Sequence, residues 1–475
     1  MDNHLHEECG VFGIYCRDED VSVASACYYA LFALQHRGQE NCGIVVNDNG
    51  VMTPYRDSGL VNDVFTEDVM RSLGNGQIAM GHVRYGTTGS SNRRNAQPLT
   101  INHVKGSMSL AHNGNLTNAA ALRRELELNG SIFHTTSDTE VIAYEITRQR
   151  LNSSSIEEAV SKTMDIIQGA YSLVLMSPQK LIGARDPLGF RPLVIGKIGE
   201  DGYVLASETC ALDAISAQYV RDVRPGEIVV VDENGLNSLT GHCHEGEKAL
   251  CVFEYIYFAR PDSQIEGSSV QIARQRAGAM LALEHPVNAD VVIGVPDSGI
   301  AAAIGYAKES GIPYGIGLIK NKYIGRTFIA PGQSHREDRV RIKLNAVSET
   351  VRDKRVVMID DSIVRGTTCA RIVRLLRAAG AKEVHMRVSA PPFLNPCYFG
   401  TDIRSRESLI ACRHTVEEIA EIIGVDSLGY LSIEDLPKLA DKYHGGICTA
   451  CFTGQYPVDI SGAGERLFQE QKIQK

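Results

Sequence analysis

The pattern of hydrophobic and polar residues along the chain changes near residue 240. In the first half, short apolar runs that predict strands outnumber the amphipathic segments that predict helices. The predicted strands are 9–15, 43–47, 78–83, 107–112, 172–177, 181–185, 203–207 and 228–232. The predicted helices are 21–36, 117–129, 137–150 and 156–168. Many strands with few crossover helices between them predict an α+β domain of packed sheets with helices outside.

Beyond a polar stretch at 241–247, strands and helices alternate along the chain. The predicted elements are helix 268–285, strand 290–295, helix 299–310, strand 355–360, helix 367–379 and strand 384–388. This order predicts a doubly wound, mainly parallel α/β sheet. We expect the last sixty residues to be helical with a cysteine-containing turn. The predicted domains are therefore residues 9–240 and 241–475.

Composition narrows the classes of function. The 475 residues are 43% hydrophobic and 22% charged, as in ordinary globular proteins, and the net charge of −9 argues against binding to nucleic acid or to a membrane surface. Residues 1–8 are polar and acidic, unlike a signal peptide. The longest nearly uncharged run, 291–307, contains Pro296 and Asp297 and is a poor membrane span. The expectation is a soluble, cytoplasmic protein.

The segment 355–368 combines a buried strand, an acidic turn and a helix start. The strand delivers Asp360 and Asp361 to the carboxyl edge of the sheet, where open α/β sheets bind ligands. Gly366 allows the backbone to approach a ligand closely. The hydroxyls of Thr367 and Thr368 lie at the start of the predicted helix, where backbone amides favour binding of an anion. Carboxylates beside such an anion-binding site suit a ligand that carries hydroxyls or a metal next to its phosphate, as a ribose 5-phosphate does. The alternative is a strand that ends in an exposed acidic turn.

Two further segments add to this predicted site. The turn 295–299 also follows a buried strand and opens a helix, so it is a candidate for holding a pyrophosphate or its metal. Residues 320–343 carry seven basic side chains against two acidic ones, a composition that suits a mobile lid over a pyrophosphate. The alternative for 320–343 is a solvated loop or an RNA-binding patch.

These segments resemble the signature of the phosphoribosyltransferases. The resemblance implies that a nitrogen nucleophile displaces pyrophosphate from 5-phosphoribosyl 1-pyrophosphate, called the ribosyl donor below, with the help of Mg²⁺. The ribosyl-donor ligands that it implies are Asp360, Asp361, Ser362, Arg365, Gly366, Thr367, Thr368, Lys322 and Arg326. The Mg²⁺ ligands that it implies are Ser298, Asp360 and Asp361.

In the first half, Cys9 begins an apolar strand directly after the acidic residues 1–8 and is the candidate nucleophile. If residues 1–8 are removed, Cys9 carries a thiol and a free α-amine. Such an amine has a pKa of about 7.7–8.0 and serves as general base at neutral pH. The alternative is an ordinary buried strand cysteine.

Three other segments supply the groups that a free amino acid with a side-chain amide needs. Arg84 is a candidate clamp for a carboxylate, and Asp138 is a candidate partner for an ammonium group. The side chain of Asn113 and the backbone N–H of Gly114 are candidates for an oxyanion hole. Together with Cys9, these groups predict glutamine as the substrate.

With segment 34–40, these residues resemble the class II, N-terminal-nucleophile glutamine amidotransferases, over residues 9 to about 235. The resemblance implies an αββα sandwich, in which two antiparallel sheets lie between helical layers. It also implies that Cys9 is the mature N-terminus and that residues 1–8 are a propeptide.

Over its full length, including segment 254–263, the chain resembles the glutamine phosphoribosylpyrophosphate amidotransferase family. The resemblance implies that ammonia from glutamine passes internally to the ribosyl donor, giving 5-phosphoribosylamine, glutamate and pyrophosphate in the first committed step of purine synthesis. It further implies inhibition by purine nucleotides and a homotetramer.

Twelve cysteines are too few for a disulfide scaffold in a chain of this length. The pair Cys448 and Cys451 lies in a glycine-rich turn and is typical of a metal or redox site. The resemblance to the iron–sulfur branch of the family adds Cys251 and Cys397 and implies a structural [4Fe–4S] cluster. Spacing alone leaves zinc as an alternative.

Two other functions compete. A glutaminase with another acceptor, as in glucosamine-6-phosphate synthase, has no need of the acidic pair at 360–361. A transcriptional regulator that binds the ribosyl donor is expected to carry a DNA-binding module and no glutamine site.

Overall fold

The computed structural model describes residues 9–85, 93–321, 344–401, 403 and 405–463. In the first half, two antiparallel sheets pack face to face. The first sheet contains β1 (Gly10–Tyr15), β2 (Asn41–Asp48), β3 (Val51–Ser58), β4 (Ile78–Arg84), β9 (Val194–Ile198), β10 (Gly202–Ala206) and β11 (Gln218–Asp222), in the order β11-β9-β10-β1-β4-β2-β3. The second contains β5 (Leu99–His103), β6 (Gly106–Leu116), β7 (Gly169–Met176), β8 (Leu181–Arg185), β12 (Ile228–Asp232) and β13 (Gly235–Leu239), in the order β13-β12-β8-β7-β6-β5.

Helices cover the outer faces of both sheets. They are α1 (Val23–Ala33), α2 (Val61–Val64), α3 (Glu67–Leu73), α4 (Ala119–Leu128), α5 (Asp138–Leu151), α6 (Ile156–Met164) and α7 (Thr209–Asp213). Apolar residues of α1 pack on the first sheet, and those of α4 to α6 pack on the second. Between the sheets, residues such as Val11, Met80 and Val174 form a separate core. The predicted αββα sandwich is confirmed.

The second half is built around a sheet of four parallel strands and also contains short strand pairs. The described strands of this half are β14 (Leu250–Cys251), β15 (Gln264–Ile265), β16 (Ser268–Ser269), β17 (Val291–Gly294), β18 (Leu318–Lys320), β19 (Leu344–Ala346), β20 (Arg355–Asp360), β21 (Glu383–Val388), β22 (Ser427–Tyr430) and β23 (Ile447–Cys448). The helices are α8 (Val270–Glu284), α9 (Gly299–Ser310), α10 (Ser348–Val351), α11 (Thr367–Ala378), α12 (Val416–Ile423) and α13 (Ala450–Thr453). The sheet order is β17-β20-β21-β22.

Alternate residues of β20 point to opposite faces of this sheet, as strand geometry requires. Val357 and Ile359 pack with α8 and α9, whereas Val356 and Met358 pack with α11 and α12. The predicted doubly wound parallel sheet is therefore confirmed.

The C-terminal segment differs from its prediction. Between residues 416 and 463 the chain forms α12, β22, a 3₁₀ turn at Ile433–Lys438, β23 and α13, rather than a run of helices. Strand β22 adds to the edge of the parallel sheet, and β23 pairs with β14. Tertiary pairing overrides local helix preference in this segment. Among the described residues, no helix has the length and apolar character needed to cross a bilayer.

Candidate active sites

Cys9 precedes the central strand of the first sheet. Its side chain is buried, with Sγ 3.8 Å from the carbonyl oxygen of Tyr85. The register of β1 and β4 pairs Gly10 with Val83, so Cys9 lies at the strand end where Arg84 follows Val83. Arg84 is also buried, and the sheet register therefore brings the candidate nucleophile and the candidate carboxylate clamp to one edge.

Asn113 and Gly114 lie on β6 of the facing sheet. Asn113 is fully buried, and neither its amide oxygen nor its amide nitrogen has a hydrogen-bond partner among the described residues. An unpaired buried amide costs about 1–3 kcal/mol, so this group is suited to bind a substrate that completes its hydrogen bonds. Gly114 has φ 142°, and a Cβ there would lie 2.1 Å from the carbonyl oxygen of Ala170. Only glycine fits this position.

Asp138 is the first residue of α5, and its carboxylate already has protein partners. Its Oδ2 accepts a hydrogen bond from the backbone N–H of Leu116 at 3.0 Å, and its Oδ1 lies 3.6 Å from Nδ1 of His112. Burial acts to raise the pKa of Asp138, but His112, the Leu116 N–H and the charge of Arg84 outweigh it and hold that pKa below its ordinary value. Asp138 is therefore an anion at neutral pH.

Two histidines that the sequence reasoning did not single out connect the sheets. Nε2 of the buried His82, on β4, lies 3.1 Å from the carbonyl oxygen of His112, on β6. Burial is the main cause that lowers the pKa of His82 to about 3, so the ring is neutral and donates its Nε2–H to that carbonyl. His82 thereby ties the strand that ends in Arg84 to the strand that carries Asn113. His82 lies two residues before Arg84 and His112 lies next to Asn113 in the sequence, but only the tertiary structure reveals this role.

In the second half, the parallel sheet brings Ser298 to the acidic pair. Asp360 and Asp361 leave the carboxyl end of β20 and are both buried. Ser298, which precedes α9, donates its hydroxyl to Oδ2 of Asp361 at 2.5 Å, and Ser362 donates to the other oxygen. The three predicted metal ligands therefore lie at one edge of the sheet.

The two carboxylates of this acidic pair repel each other. Burial and the neighbouring Asp361 raise the pKa of Asp360 well above its ordinary value. Asp360 receives a hydrogen bond from the backbone N–H of Asp361 at 3.0 Å. A bound cation relieves such repulsion, and clustered carboxylate and hydroxyl oxygens are the donors that Mg²⁺ prefers.

The loop from 361 to 366 connects β20 with α11, as the sequence predicts. Gly366 precedes the first helical residue, Thr367, with a left-handed φ of 76°. A Cβ at Gly366 would also lie 2.9 Å from Cδ1 of Ile410. The loop therefore turns sharply, and the start of the helix follows directly, an arrangement suited to a phosphate. Lys320 pairs with Asp297 at 2.6 Å nearby, while Lys322 and Arg326 lie outside the described residues.

The four predicted cluster cysteines line one cavity. Cys251 and Cys448 are register neighbours in the parallel pair β14–β23, and the carbonyl of Cys451 accepts the backbone N–H groups of Leu394 and Asn395. The cavity is lined by Cys251, Cys397, Cys448, Cys451, Phe190, Phe253, Phe393, Phe399, Thr401, Ile403 and Ala450. Burial raises the pKa of the Cys448 thiol to about 12, so a metal must displace its proton for it to ligate.

No group of three or more His, Cys, Asp or Glu side chains in the described part of the chain is spaced to hold a single metal ion. The four cysteines share a largely apolar cavity.

Comparison with known families covers both halves of the chain. Residues 82–214 match a family model described as a glutamine amidotransferase domain, and residues 271–397 match a phosphoribosyl transferase domain.

Relatives match nearly the whole chain. An amidophosphoribosyltransferase from Archaeoglobus fulgidus is 51% identical over 96% of this chain and 99% of its own length. One from Bacillus subtilis is 50% identical over 96% of this chain and 95% of its own length. The solved structure of the B. subtilis glutamine phosphoribosylpyrophosphate amidotransferase complexed with ADP and GMP has a TM-score of 0.88 at 48% identity, covering 95% of this chain and 98% of that one.

Proposed function

The chain belongs to the amidophosphoribosyltransferase family, and from that premise we propose that it moves the amide nitrogen of glutamine to the ribosyl donor. The products are 5-phosphoribosylamine, glutamate and pyrophosphate, and the reaction serves purine biosynthesis. The observation that carries this proposal is that one chain holds both sets of groups. The first is a buried thiol and a buried amide without a hydrogen-bond partner among the described residues, and the second is an acidic pair at the edge of a parallel sheet.

In the glutamine site, the thiol of Cys9 attacks the side-chain amide of the substrate. The α-amine of Cys9 takes the thiol proton and passes it to the leaving ammonia, which leaves a thioester on Cys9, and this role requires removal of residues 1–8. Water then hydrolyses the thioester, which releases glutamate and restores the thiol. The amide of Asn113 and the N–H of Gly114 receive the oxyanion. Arg84 binds the substrate carboxylate, and Asp138, an anion at neutral pH, faces the substrate ammonium.

In the ribosyl site, Ser298, Asp360 and Asp361 are the residues that would hold Mg²⁺. When bound there, the ion would neutralise negative charge on the departing pyrophosphate. The chain's own contribution is orientation, because Asp361 is fixed by hydroxyls from two loops and the turn at Gly366 brings backbone N–H groups to the 5-phosphate. Ser362 and Arg365 add donors in the same loop, and Thr367 and Thr368 add donors at the start of α11. Lys322 and Arg326 are further candidate ligands of the pyrophosphate.

We assign a [4Fe–4S] cluster to Cys251, Cys397, Cys448 and Cys451. Its role is structural, since the transfer reaction needs no electrons and the cysteines join three distant segments. Protein purified without oxygen should be brown and contain about four irons per chain. Cys451→Ser should lose most of this iron and visible absorption, whereas Cys412→Ser should keep both, because the thiol of Cys412 donates to the carbonyl of Leu394 outside the set. Colourless, fully active protein with zinc would contradict the assignment.

Three further properties extend the proposal. Residues 1–8 are a propeptide, purine nucleotides inhibit the enzyme, and the active form is a cytoplasmic homotetramer. A B. subtilis relative binds ADP and GMP, which supports nucleotide control here. Mass spectrometry of the active enzyme should show that it begins at Cys9.

The deciding experiment measures glutamine-dependent release of pyrophosphate with and without the ribosyl donor. We expect release only when both substrates are present, together with one glutamate per pyrophosphate. Glutamate release with a sugar phosphate as acceptor would favour a synthase of the glucosamine type. Binding of the ribosyl donor without turnover would favour a regulator.

A further inference from the structure

The last part of strand β6 lacks a partner strand along one of its edges. Strand β5 pairs with β6 only as far as the register pair Leu99 and Leu110, whereas β7 continues along the other edge to Leu116. The N–H groups of alternate residues in a strand point to the same edge. From residue 111 onward, the backbone N–H groups on the β5 side of β6 therefore need partners other than a strand.

Side chains from two other segments take the place of β5 there. Oε1 of Gln97 accepts the N–H of His112 at 2.8 Å. Four residues further along β6, Oδ2 of Asp138 accepts the N–H of Leu116 at 3.0 Å. Both acceptor side chains are buried. Two side-chain oxygens thus continue the hydrogen-bonding pattern of the missing strand.

Gly114 lies midway between these two bonded residues. Strand alternation points its N–H to the same edge as the N–H groups of His112 and Leu116. Its register partner on β7 is Tyr171, whose N–H donates to the carboxylate of Asp186 and whose carbonyl accepts the N–H of Asp186, on the side away from β6. Gly114 and Tyr171 are therefore a non-hydrogen-bonded pair. Within the described part of the chain, the N–H of Gly114 lies between two bonded neighbours and is available to a ligand.

The segment that carries Gln97 is itself fixed on two sides. The guanidinium of Arg56, on β3, donates to the carbonyl oxygens of the residues before and after Gln97, at 2.8 and 3.3 Å. Asn95 and Thr136 exchange two hydrogen bonds, at 2.8 and 3.0 Å. The side-chain oxygen of Gln97 is therefore an acceptor that is held in place before any substrate binds.

We propose that Gln97 is a positioning residue of the oxyanion hole in the glutamine site. The inference rests on the proposed function, in which the N–H of Gly114 receives the oxyanion. Because glycine has more accessible backbone conformations than other residues, the direction of its N–H has to be fixed by its neighbours. Gln97 fixes the strand two residues before Gly114, and Asp138 fixes it two residues after. A donor that is oriented in advance needs no reorganisation during the reaction.

The test compares Gln97→Met with Gln97→Glu in the full-length enzyme, purified without oxygen. Methionine has nearly the same length as glutamine but offers only a weak acceptor, whereas glutamate keeps an oxygen for the N–H of His112. Gln97→Met should lower kcat for glutamate release by about 10- to 100-fold and leave the KM for glutamine within about twofold, since the donor is misaligned but the substrate clamps are intact. Gln97→Glu should keep kcat within about fivefold of wild type.

A second measurement reports on the oxyanion hole without turnover. In the γ-aldehyde analogue of glutamine, the thiol of Cys9 adds to the aldehyde carbon, and the former carbonyl oxygen of the tetrahedral adduct occupies the oxyanion position. The inhibition constant of this analogue should rise about 10- to 100-fold in Gln97→Met, in proportion to the fall in kcat. The inhibition constant of the product glutamate should change by less than about twofold, because glutamate forms no such adduct. A general loss of structure would weaken the binding of both.

The matched control is Gln77→Met. Oε1 of Gln77 also accepts a backbone N–H, that of Asn49 at 3.1 Å, but at the opposite end of β4 from Arg84, so this variant should match the wild type in every measurement. Unchanged kcat in Gln97→Met, equal rises in both inhibition constants, equal defects in Gln97→Met and Gln97→Glu, or the same loss in Gln77→Met would each overturn the proposal.

If Gln97→Met does not fold, Gln97→Asn decides by the same criteria, because its shorter side chain withdraws the acceptor from His112. Failure of the proposed function is distinct, since the wild type would then release no glutamate from glutamine.

Discussion

The glutamine site and the ribosyl site differ in how the protein stabilises their buried carboxylates. In the glutamine site, Asp138 is balanced by His112, a backbone N–H and Arg84, so its negative charge is stable before any substrate arrives. In the ribosyl site, Asp360 and Asp361 repel each other, and the pKa of Asp360 is raised. The first site is preorganised, whereas the second is completed by its ligands. The two halves should therefore respond differently to mutation.

The largest effect should come from Cys9→Ala. Without the nucleophile, glutamine-dependent synthesis should fall at least about 10³-fold, because no acyl-enzyme can form. Synthesis from added ammonia should remain, since the ribosyl site is intact. Pyrophosphate release is measured with glutamine and with ammonia as the nitrogen source. Loss of both activities would contradict the conclusion that the two sites act separately.

The next largest effect should come from Asn113→Ala. Removal of one oxyanion donor lowers kcat by about 10²- to 10³-fold, and the KM for glutamine should change little. Glutamate release kinetics provide the measurement. The surface variant Asn102→Ala, on the neighbouring strand β5, should match the wild type. An effect confined to KM would instead make Asn113 a ground-state binding group.

For the ribosyl site, Asp361→Asn should lower both glutamine- and ammonia-dependent synthesis by about 10²-fold, because the cation loses a charged ligand. Asp290→Asn is the matched control, since Asp290 pairs with Arg355 at the opposite end of β20. Steady-state kinetics over a range of Mg²⁺ concentrations should show a raised requirement for the ion only in Asp361→Asn. An unchanged requirement would remove Asp361 from the metal site.

The smallest effect concerns stability. The pKa of Asp138 is lower in the folded protein than its usual value, so the ionised carboxylate stabilises the fold above the unfolded pKa of about 3.9. Asp138→Asn should lower the free energy of unfolding by about 1–2 kcal/mol at pH 7. The difference should shrink below about pH 4, as acid protonates the wild-type carboxylate. Urea denaturation at several pH values measures it, with the exposed Asp68→Asn as control.

The two sites also differed in how far their residues could be predicted. The ribosyl loop is contiguous in sequence, so one strand, one turn and one helix start indicate it together. The glutamine site comes from four segments, and Arg84, Asn113 and Asp138 were found because each lies in a polar motif beside a strand or helix. His82 and His112 lie in the same motifs, but a neutral histidine that bridges two sheets has no sequence signal of its own.

Several edge strands were also missed, among them β3, β5 and β13. Their residues are partly exposed and less apolar than those of central strands, and they pair with neighbours that local pattern does not reveal.

The two-domain order, the classes of sheet and the chemical groups of both sites were predictable from the sequence, because periodicity and residue type are local properties. The pairing of buried charges was not predictable in this way. Arg37 and Glu254 are 217 residues apart, and their pairing depends on how two independent cores pack together. Packing within the second domain likewise placed cysteines from three distant segments around one cavity. Contacts of this kind depend on the shapes of both domains at once, which no local pattern encodes.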